Sequence, residues 1–507
     1  MPLQKEILHS GENKYISLPA PESLQLPEKV IMFGTGVLLR GLPAHFIETA
    51  NRKGVFNGRI VMVKSTDGGD ATPFTRQDGL FTHVIQGYRN GTKVDEAFVN
   101  ASISRVISAR ETWTSVLDLA RNPDISVVIS NTTESGIVLV PDDSIHATPP
   151  VSFPGKLLAL LYERYRHFNG AADKGWVILP TELIPDNGRK LSEVLHALAI
   201  SNGLERAFID WMETSNPCCN TLVDRIVPGK PPRDKQQELE ARFGYTDDLM
   251  ISSEPYALWA IESADPKVTD TLSFATVNPD IHIRPDIGVQ RELKLRLLNG
   301  THTFSCGPAV LCGFPTVDTA MEDPIFGMFV RQLMMEDIIP ALSHPDINVS
   351  DAQAYASSVI DRFRNPHIGH RWISITVNYS RKLEMRNLPL IRRALDQLGM
   401  ISERMAFAMA AYLRFMKVEA GPDGRFRGGV DGHEYEVQDE FSAFYADLWK
   451  IQDDPKALVQ QAFAQTGLWG DDLGKSSAFI DAVAAQLAWI MKHGSIPTSP
   501  IGHDIRP

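Results

Sequence analysis

The sequence predicts an α/β fold, with a Rossmann-type parallel sheet in an N-terminal domain and a mostly α-helical C-terminal domain. Two observations predict it. Short Val- and Ile-rich runs alternate with helical patterns in the first part of the chain, and long helical patterns dominate after about Asp280. Strands that alternate with helices pair into a parallel sheet with helices on both faces. We therefore assign residues 1–280 to the first domain and residues 281–507 to the second.

Four apolar runs supply the predicted strands of the first domain. Their near-continuous Val and Ile content is typical of strands that are covered on both faces. An apolar-periodic helix from Leu38 to Ala50 follows the first strand, and Gly54 ends it. The predicted strands are Lys29–Phe33, Gly58–Lys64, Ile125–Ser130 and Trp176–Leu179.

Clusters of Gly, Pro and Asp separate the predicted helices of the second domain. The segment from Asn278 to Gly288, with two prolines, is the predicted connection between the domains. The last residues, Gly494–Pro507, are rich in Pro and Gly and predict an extended tail. The predicted helices are Gln290–Leu298, Glu322–Leu342, Asp351–Arg364, Leu388–Leu398, Ser402–Met416, Glu440–Leu448 and Ser477–Lys492.

Charge and hydropathy exclude several classes of partner. The 507 residues carry a net charge of −12, and the acidic residues are dispersed along the chain. Nucleic-acid binders usually concentrate basic residues on one face, so we expect no nucleic-acid partner. No apolar run approaches the ~18 residues that a membrane helix needs, and the N-terminus has no signal-peptide pattern. We expect a cytoplasmic protein with no membrane partner.

The chain has four cysteines, Cys218, Cys219, Cys306 and Cys312, and contains neither a CxxC nor an HExxH spacing. So few cysteines in a chain of this length do not form a disulfide framework. We therefore expect free thiols and no bound metal.

The first chemical signal is the run Gly34, Thr35 and Gly36, directly after the first predicted strand. Glycines at such a turn let backbone amides approach a pyrophosphate, and the following helix N-terminus favours its charge. The third glycine of GxGxxG is missing, because position 39 is Leu and the next glycine is Gly41. Alone, the pattern fits a dinucleotide site or an ordinary turn, and its place at the first strand-to-helix turn favours the dinucleotide.

An acid that binds the ribose is expected about twenty residues later, at the end of the second strand. Asp67 is the candidate, although it lies beyond the strand and also fits the beginning of a turn. Lys64 nearby keeps NADP open, so these residues favour NAD only mildly.

Polar residues follow the third predicted strand. Ligands bind at the carboxyl ends of strands in such sheets, and short hydroxyls and an amide suit ribose and nicotinamide. The other interpretation is an N-cap for the next helix, and the residues leave both open. In the first interpretation the cofactor contacts are Asn131, Thr132, Thr133 and Glu134.

The strongest signal is the spacing Lys294-x4-Asn299-x2-His302. On a regular helix Asn299 lies about 140° and His302 about 80° from Lys294, so the three share one face. A lysine with a lowered pKa exchanges a proton with an alcohol or ketone, an amide stabilises the alkoxide, and an imidazole orients a neighbouring hydroxyl. The competing interpretation is a surface lysine, an Asn-Gly turn at which the helix ends, and a lone polar histidine.

With these motifs, the chain resembles the long-chain mannitol dehydrogenase family of polyol and uronate oxidoreductases over nearly its whole length. The resemblance implies a Rossmann-type domain, a mostly helical second domain, NAD as cofactor, a metal-independent mechanism and Lys294 as general acid/base. The matching pieces are Gly34–Gly36, Thr132–Gly136, Asn187-Gly188, Val223–Pro228, Glu254–Tyr256 with Trp259, and the Lys294-x4-Asn299-x2-His302 signature.

Within the family, the residues resemble the branch that interconverts D-altronate and D-tagaturonate in hexuronate catabolism. Polyol members carry Asp-Asn before the Asn-Gly pair, where the aligned stretch of this chain is Pro180–Leu183. They also carry Asp where His370 stands and an arginine where Ser374 stands. The Ser-x-Lys motif that ends at Lys382 is retained. The resemblance implies His370 and Lys382 as substrate-binding residues, and a small sugar acid as the substrate.

Three alternatives stay open from the sequence. Within the family they are a fructuronate reductase and a mannitol-type polyol dehydrogenase. Outside it, a nucleotide-binding protein that has lost turnover is the remaining possibility, and the intact Lys294, Asn299 and His302 argue against it.

Overall fold

The computed structural model describes residues 1–9, 13–65, 68, 70–132, 136–430, 432–470 and 473–493. The chain divides into two compact units. The first consists of Met1–Gln86 and Lys93–Ile287, and the second of Gly87–Thr92 and Gly288–Pro507. The tail predicted for Gly494–Pro507 lies outside the described residues.

The first unit alternates strands with helices. Strands are β1 Glu28–Phe33, β2 Arg59–Lys64, β3 Phe81–Arg89, β4 Thr92–Asn100, β5 Ile103–Ser108, β6 Val127–Ser130, β7 Val177–Pro180, β8 Asn220–Asp224, β9 Ile251–Ser253, β10 Leu258–Glu262 and β11 Ile281–Arg284. Helices are α1 Val37–Gly41, α2 Pro43–Arg52, α3 Thr72–Arg76, α4 Trp113–Asp118, α5 Phe153–His167, α6 Asn187–Ser201, α7 Arg206–Ser215, α8 Arg233–Phe243 and α9 Pro266–Thr271. Short 3-10 helices are Lys5–His9, Pro21–Gln25, Leu119–Arg121, Ala172–Lys174 and Ser273–Val277.

A five-stranded parallel sheet forms the centre of this unit, in the order β5-β2-β1-β6-β7. Counted along the chain within the sheet, this order is 3-2-1-4-5, the Rossmann order. The predicted fold class is therefore confirmed. Two three-stranded sheets, β11-β10-β8 and β4-β3-β9, complete the unit.

The core lies on both faces of this sheet, as the apolar strand sequences predict. Ile31 and Phe33 of β1 belong to one hydrophobic cluster, and Val30 and Met32 belong to another. All four side chains have no exposed surface. Alternate residues of a strand point to opposite faces, so a continuous apolar strand requires cover on both.

The strands of the two three-stranded sheets were not predicted, and two further features of the first unit differ from the sequence prediction. The single helix predicted from Leu38 to Ala50 is two helices, α1 and α2, separated at Leu42, and Pro43 begins the second. Proline is accommodated in the first turn of a helix, so it marks a start there. The edge strand β5, with sequence ISRVIS, was not predicted because its polar residues interrupt the apolar run.

The second unit is mostly helical, as predicted. Its helices are α10 Gly288–Leu293, α11 Thr301–Leu311, α12 Val317–Glu322, α13 Pro324–Gln332, α14 Val349–Phe363, α15 Trp372–Ile375, α16 Tyr379–Arg386, α17 Leu388–Leu398, α18 Glu403–Phe415, α19 Ser442–Ile451, α20 Pro455–Phe463, α21 Thr466–Trp469 and α22 Ser477–His493. Two π-helices, Lys294–Gly300 and Leu333–Ile338, and two 3-10 helices, Ile339–Ala341 and Leu473–Lys475, join them. The strands are β12 Val418–Ala420, β13 Phe426–Val430 and β14 His433–Val437.

Helix α18 lies at the centre of the second unit and packs on α11 and α22. The hydroxyl of Ser402 caps it by accepting a hydrogen bond from the backbone amide of Met405 at 3.1 Å. Its run of Ala, Met, Phe and Leu is hydrophobic on nearly all sides, which is typical of a buried helix. The short antiparallel sheet β12-β13-β14 was not predicted, since its residues alternate with glycine and charge.

The tip of the β3–β4 hairpin belongs to the second unit, although its sequence lies far from the rest of that unit. Asn90 and Gly91 both have positive φ, 53° and 72°, as a two-residue type I′ turn requires. The backbone amide of Gly91 donates to the carboxylate of Asp361 on α14 at 2.9 Å. The guanidinium of Arg364 lies 5.4 Å from the ring centre of Tyr88. These contacts tie the tip to α14.

Candidate active site

Five of the predicted cofactor residues lie at the point where the strand order of the central sheet reverses: Gly34, Thr35, Gly36, Asn131 and Thr132. Strands β1 and β6 are neighbours, with Phe33 paired to Ser130 at their carboxyl ends. The chain leaves β1 through Gly34–Gly36 and leaves β6 through Asn131 and Thr132. Ligands of open parallel sheets bind in the crevice at this reversal.

The two glycines of the turn serve different purposes. Gly34 has a φ of 120°, and a Cβ built on it would lie 2.9 Å from Leu39 Cδ1 and 3.0 Å from the carbonyl oxygen of Asn131. Only glycine adopts this backbone without strain. At Gly36, no described atom lies within 4 Å of the built Cβ. The space beside Gly36 is open, which fits the close approach of a pyrophosphate to the backbone.

The missing third glycine has a counterpart two positions later. A Cβ built on Gly41 would lie 2.6 Å from Val227 Cγ2, so the end of α1 approaches the Val223–Pro228 motif closely. Arg225 of that motif donates from Nη1 to the carbonyl oxygen of Gly41 at 2.7 Å. Glu254, from another matched motif, accepts from the backbone amide of Ile226 at 2.6 Å. Three motifs that are distant in sequence thus lie together.

The polar residues after β6 are linked to the end of β7. Glu182 accepts hydrogen bonds from the amide and the hydroxyl of Thr132, both at 2.9 Å, and from the hydroxyl of Ser130 at 3.1 Å. The side-chain amide of Asn131 donates to the carbonyl oxygen of Thr181 at 3.0 Å. The next described helix starts only at Phe153 and is capped by Ser152, so the N-cap interpretation of this segment is wrong.

Three of the predicted cofactor residues, Asp67, Thr133 and Glu134, lie outside the described residues. Asn187, from the matched Asn-Gly pair, is buried, and its amide donates to the carbonyl oxygens of Pro180 and Glu182, both at 3.0 Å. It holds the end of β7 in place.

The predicted catalytic residues lie on one continuous helix formed by α10, a π-helix and α11. Lys294 begins the π-helix and Asn299 is its sixth residue, while His302 lies in the first turn of α11. The competing interpretation, in which an Asn-Gly turn ends the helix at Gly300, is therefore wrong. A π-helix bonds residue i to i+5, so Asn299 lies one turn from Lys294 instead of about 140° around a regular helix.

Two side chains bind the π-helix to the end of α16. Nη1 of Arg296 donates to the carbonyl oxygens of Met385 and Arg386, at 2.8 and 2.7 Å. The amide of Asn387 donates to the carbonyl oxygen of Gly300 at 2.9 Å. Single π turns within α-helices occur frequently at functional sites, and here hydrogen bonds at both ends hold the turn.

The imidazole of His302 is 8% exposed and surrounded by aromatic rings. It stacks on Phe363 with ring centres 4.1 Å apart, and it meets His370 edge to face at 5.2 Å. Burial, assisted by the positive field of His370, Arg362 and nearby cations, holds the pKa of His302 well below its usual range. His302 is therefore neutral at physiological pH, and a neutral imidazole can both donate and accept a hydrogen bond.

His370 and Lys382, the predicted substrate residues, lie near His302 in a cationic environment. Burial and the charge of Lys382 lower the pKa of His370. Nζ of Lys382 donates to the carbonyl oxygen of Ile375 at 2.9 Å, and burial together with the charge of Arg386 lowers its pKa. Such a group has the charge and the hydrogen-bond donors that bind an anion or a chain of hydroxyls.

Sequence reasoning missed two members of this group, Arg362 and Arg386. Arg362 is 5% exposed, and its charge lowers the pKa of both His302 and His370. Arg386 lies one helix turn after Lys382, an i, i+4 spacing that the sequence does display. Nothing in the sequence places Arg362 beside His302, because the two are joined only by tertiary packing.

The structure also describes the cysteines, the kinds of side chain that bind metal ions and the helices that the sequence analysis considered. The four cysteines are free thiols, as predicted, and two of them, Cys219 and Cys306, are buried. Within the described residues, no group of three or more His, Cys, Asp or Glu side chains is arranged to hold a metal ion. None of the helices in the described part of the chain has the length and apolar character of a membrane span.

Comparison with protein families matches both units. The mannitol dehydrogenase Rossmann domain matches residues 28–272, and the mannitol dehydrogenase C-terminal domain matches residues 286–491. The chain therefore belongs to the mannitol dehydrogenase family. This membership makes it an NAD-dependent oxidoreductase, the class that the sequence predicts.

Curated relatives and solved structures agree with this assignment. An altronate oxidoreductase of Bacillus subtilis is 36% identical over 474 residues, 93% of this chain and 94% of that protein. One of Klebsiella pneumoniae is 36% identical over 477 residues, 93% of this chain and 96% of that protein. The fold is similar to that of Pseudomonas fluorescens mannitol 2-dehydrogenase in a ternary complex with NAD and D-mannitol, with a TM-score of 0.68, 24% identity and coverage of 98% and 99%. It is also similar to a D-sorbitol dehydrogenase, with a TM-score of 0.78, 21% identity and 99% coverage of both chains.

Proposed function

We propose that this enzyme interconverts D-altronate and D-tagaturonate with NAD, in hexuronate catabolism in the cytoplasm. The observation that carries the proposal is the group of basic side chains around His302, because a uronate differs from a hexitol by one negative charge. The altronate oxidoreductases that are 36% identical over nearly the whole chain support the same substrate pair.

The cofactor residues of this proposal are Gly34, Thr35, Gly36, Asn131 and Thr132. NAD, when bound, accepts or supplies the hydride at its nicotinamide ring. The open backbone at Gly36 accommodates the pyrophosphate, and the hydroxyl and amide groups after β6 meet the ribose and the nicotinamide.

Further contacts with the cofactor are proposed for Thr133, Glu134 and Asp67. The first two continue the polar segment after β6. Asp67 takes the ribose hydroxyls, as an acid after the second strand does in this fold.

Lys294 acts as the general acid and base. In the reducing direction its ammonium donates a proton to the ketone oxygen, and in the oxidising direction its amine takes the proton of the alcohol. The amide of Asn299, one π turn away, donates a hydrogen bond to the oxygen as negative charge develops there. Neutral His302 holds a neighbouring hydroxyl and orients the substrate chain.

His370 and Lys382 confer the preference for a uronate. An imidazole in place of an acidic residue removes a like charge from the neighbourhood of the substrate carboxylate, and the Lys382 ammonium attracts it. A charged hydrogen bond of this kind contributes about 1.5–3 kcal/mol.

The first experiment is a substrate panel. Purified enzyme is given NADH or NADPH with D-tagaturonate, D-fructuronate and D-fructose. Oxidation of the cofactor is followed by the loss of absorbance of its reduced nicotinamide ring. We expect kcat/KM to be highest for tagaturonate with NADH. A preference for fructuronate or fructose would assign the chain to another activity of the family, and no oxidation with any ketose would remove the enzymatic proposal.

A second experiment tests the roles of the two substrate residues. Lys382→Ala is expected to raise KM for tagaturonate strongly, and His370→Asp is expected to weaken tagaturonate more than fructose, because it places like charges together. Equal losses for both substrates would mean that these side chains hold the sugar body or the fold, and the account of uronate selectivity would fail.

A further inference from the structure

We propose that Arg386 binds the carboxylate of the substrate together with Lys382, so that the acid group lies between two cations of one helix. This inference rests on the proposed function and adds a specificity-determining residue to it.

The two side chains share one face of α16. Lys382 and Arg386 are four residues apart, the spacing at which helix side chains are neighbours. Each charge lowers the pKa of a nearby group: Arg386 that of Lys382, and both that of His302. The positive field of the two cations therefore reaches His302 on α11.

A hydrogen bond fixes the orientation of Arg386. Its Nη1 donates to the hydroxyl of Thr303 at 3.1 Å, and Thr303 directly follows His302 on α11. The guanidinium is thus attached to the helix that carries the proposed catalytic residues. It does not extend into solvent as most surface arginines do.

No carboxylate neutralises this pair of cations within the described part of the chain. The neighbouring arginines differ: Arg381 forms an ion pair with Glu440, and Arg296 forms one with Glu292. Among the described residues, the only group beside Lys382 and Arg386 that favours their charge is Cys306. Burial raises the pKa of that thiol to about 12, so it is uncharged at physiological pH.

One edge of the guanidinium forms no hydrogen bond with the described residues. Nε of Arg386 is buried and has no hydrogen-bond partner among the described residues. In the same part of the chain Nη2 forms no hydrogen bond, while Nη1 is taken by Thr303. Nε and Nη2 together match the two oxygens of a carboxylate. Partly buried cations without a counter-ion are costly, and a bound carboxylate offsets that cost.

The test compares substitutions on the same helix. Arg386→Met removes the charge, Arg386→Lys keeps it without the planar edge, and Arg381→Met is the matched control at an arginine already paired with Glu440. For each, kcat/KM is measured with tagaturonate and with fructose, and NADH affinity is measured by fluorescence. Arg386→Met is expected to raise KM for tagaturonate about 10- to 100-fold, the range of a lost charged hydrogen bond.

Arg386→Met should change the KM for fructose and the affinity for NADH by less than threefold. A threefold change corresponds to about 0.7 kcal/mol, since each tenfold change is about 1.4 kcal/mol. Arg386→Lys should fall between the parent and Arg386→Met, and Arg381→Met should resemble the parent. Equal losses for tagaturonate and fructose in Arg386→Met would overturn the proposal.

Thr303→Val separates a structural role from binding, including the case in which Arg386→Met fails to fold. It removes the hydrogen bond that fixes the guanidinium and leaves the charge in place. If Arg386 acts only as a structural link, Thr303→Val should reproduce the loss with both substrates. If Arg386 binds the carboxylate, the preference for tagaturonate over fructose should persist in Thr303→Val.

Activity of the unsubstituted enzyme distinguishes failure of the proposed function from failure of the role of Arg386 alone. A parent that reduces no ketouronate overturns the proposed function and this inference together. A parent that reduces tagaturonate, combined with unchanged selectivity in Arg386→Met, overturns this inference alone.

Discussion

The candidate cofactor residues and the candidate substrate residues form two halves, one in each unit, that use different chemistry. The cofactor half, in the first unit, uses backbone conformation and short polar side chains at two strand ends, Gly34–Gly36 and Ser130–Thr132. The substrate half, in the second unit, uses long cationic and imidazole side chains from α11, α14, α16 and the segment that contains His370. A backbone requirement appears in sequence as a local motif, whereas a charge cluster assembled by packing does not. The following predictions test that contrast.

The largest effect is expected at Lys294. Lys294→Ala removes the proposed proton donor and should lower kcat by at least ~100-fold, the scale of lost general acid/base catalysis. NADH affinity should remain nearly unchanged, because the cofactor half does not use this side chain. Steady-state kinetics and NADH fluorescence titration measure the two quantities. Lys450→Ala, at an exposed lysine paired with Asp447, is the control, and near-normal turnover in Lys294→Ala would remove this residue from the mechanism.

The next effect separates the two glycines of the cofactor half. Gly34→Ala places a Cβ 2.9 Å from Leu39 Cδ1, on a backbone whose positive φ favours glycine. The substitution should reduce the free energy of unfolding by about 1–3 kcal/mol. Gly36→Ala fills open space and should leave the melting temperature unchanged while weakening NADH binding. Thermal melts and NADH titrations of both variants test this. Unaltered NADH affinity in Gly36→Ala would show that the pyrophosphate does not approach the backbone there.

A smaller effect is expected where the π-helix is held. Asn387→Ala removes the hydrogen bond to the Gly300 carbonyl and should cost about 1 kcal/mol of stability. Because the register of Lys294 and Asn299 depends on the π turn, kcat should fall more than KM rises. Asn348→Ala removes an N-cap of α14 at a similar cost, about 1 kcal/mol, and serves as a stability-matched control. Equal kcat in the two variants would show that the turn does not need this support.

The last effect concerns pH and leaves activity at neutral pH aside. Burial lowers the pKa of His302 well below 6.5, so the unfolded chain binds a proton there before the folded chain does. Its contribution to stability is full above pH ~6.5 and is lost as the pH falls, at up to about 1.4 kcal/mol per pH unit. His302→Gln should therefore flatten the decline in melting temperature between pH 7 and pH 5. His146→Gln, at an exposed histidine, is the control and should leave that decline as it is in the parent. Parallel curves of melting temperature against pH for the parent and His302→Gln would contradict the prediction.

Much of the fold was predictable because apolar periodicity records burial. The strands of the sheet centre and the long helices α14, α17, α18 and α22 were placed within a few residues. The edge strand β5 and the sheet β12-β13-β14 were missed, since partly exposed strands carry polar residues and glycines that hide the pattern.

The candidate site was predictable only in part, and for a related reason. Gly34 and Gly36 follow from what a tight turn demands of the backbone. The shared face of Lys294, Asn299 and His302 was inferred with regular helix geometry, which the π-helix changes. Arg362 and Arg386 were not predicted, because their surroundings depend on the packing of α11, α14 and α16.

The hairpin tip at Gly91 has a consequence for how the gene of this protein can be divided. Its hydrogen bond joins positions that are 270 residues apart, so the ribosome must complete more than half of the protein before the contact can form. A gene fragment that begins at Gly288 encodes the second unit without residues 87–92, a piece of its own fold. Replacement of the first unit by that of a relative at a single crossover would therefore pair α14 of this chain with a hairpin tip of different origin.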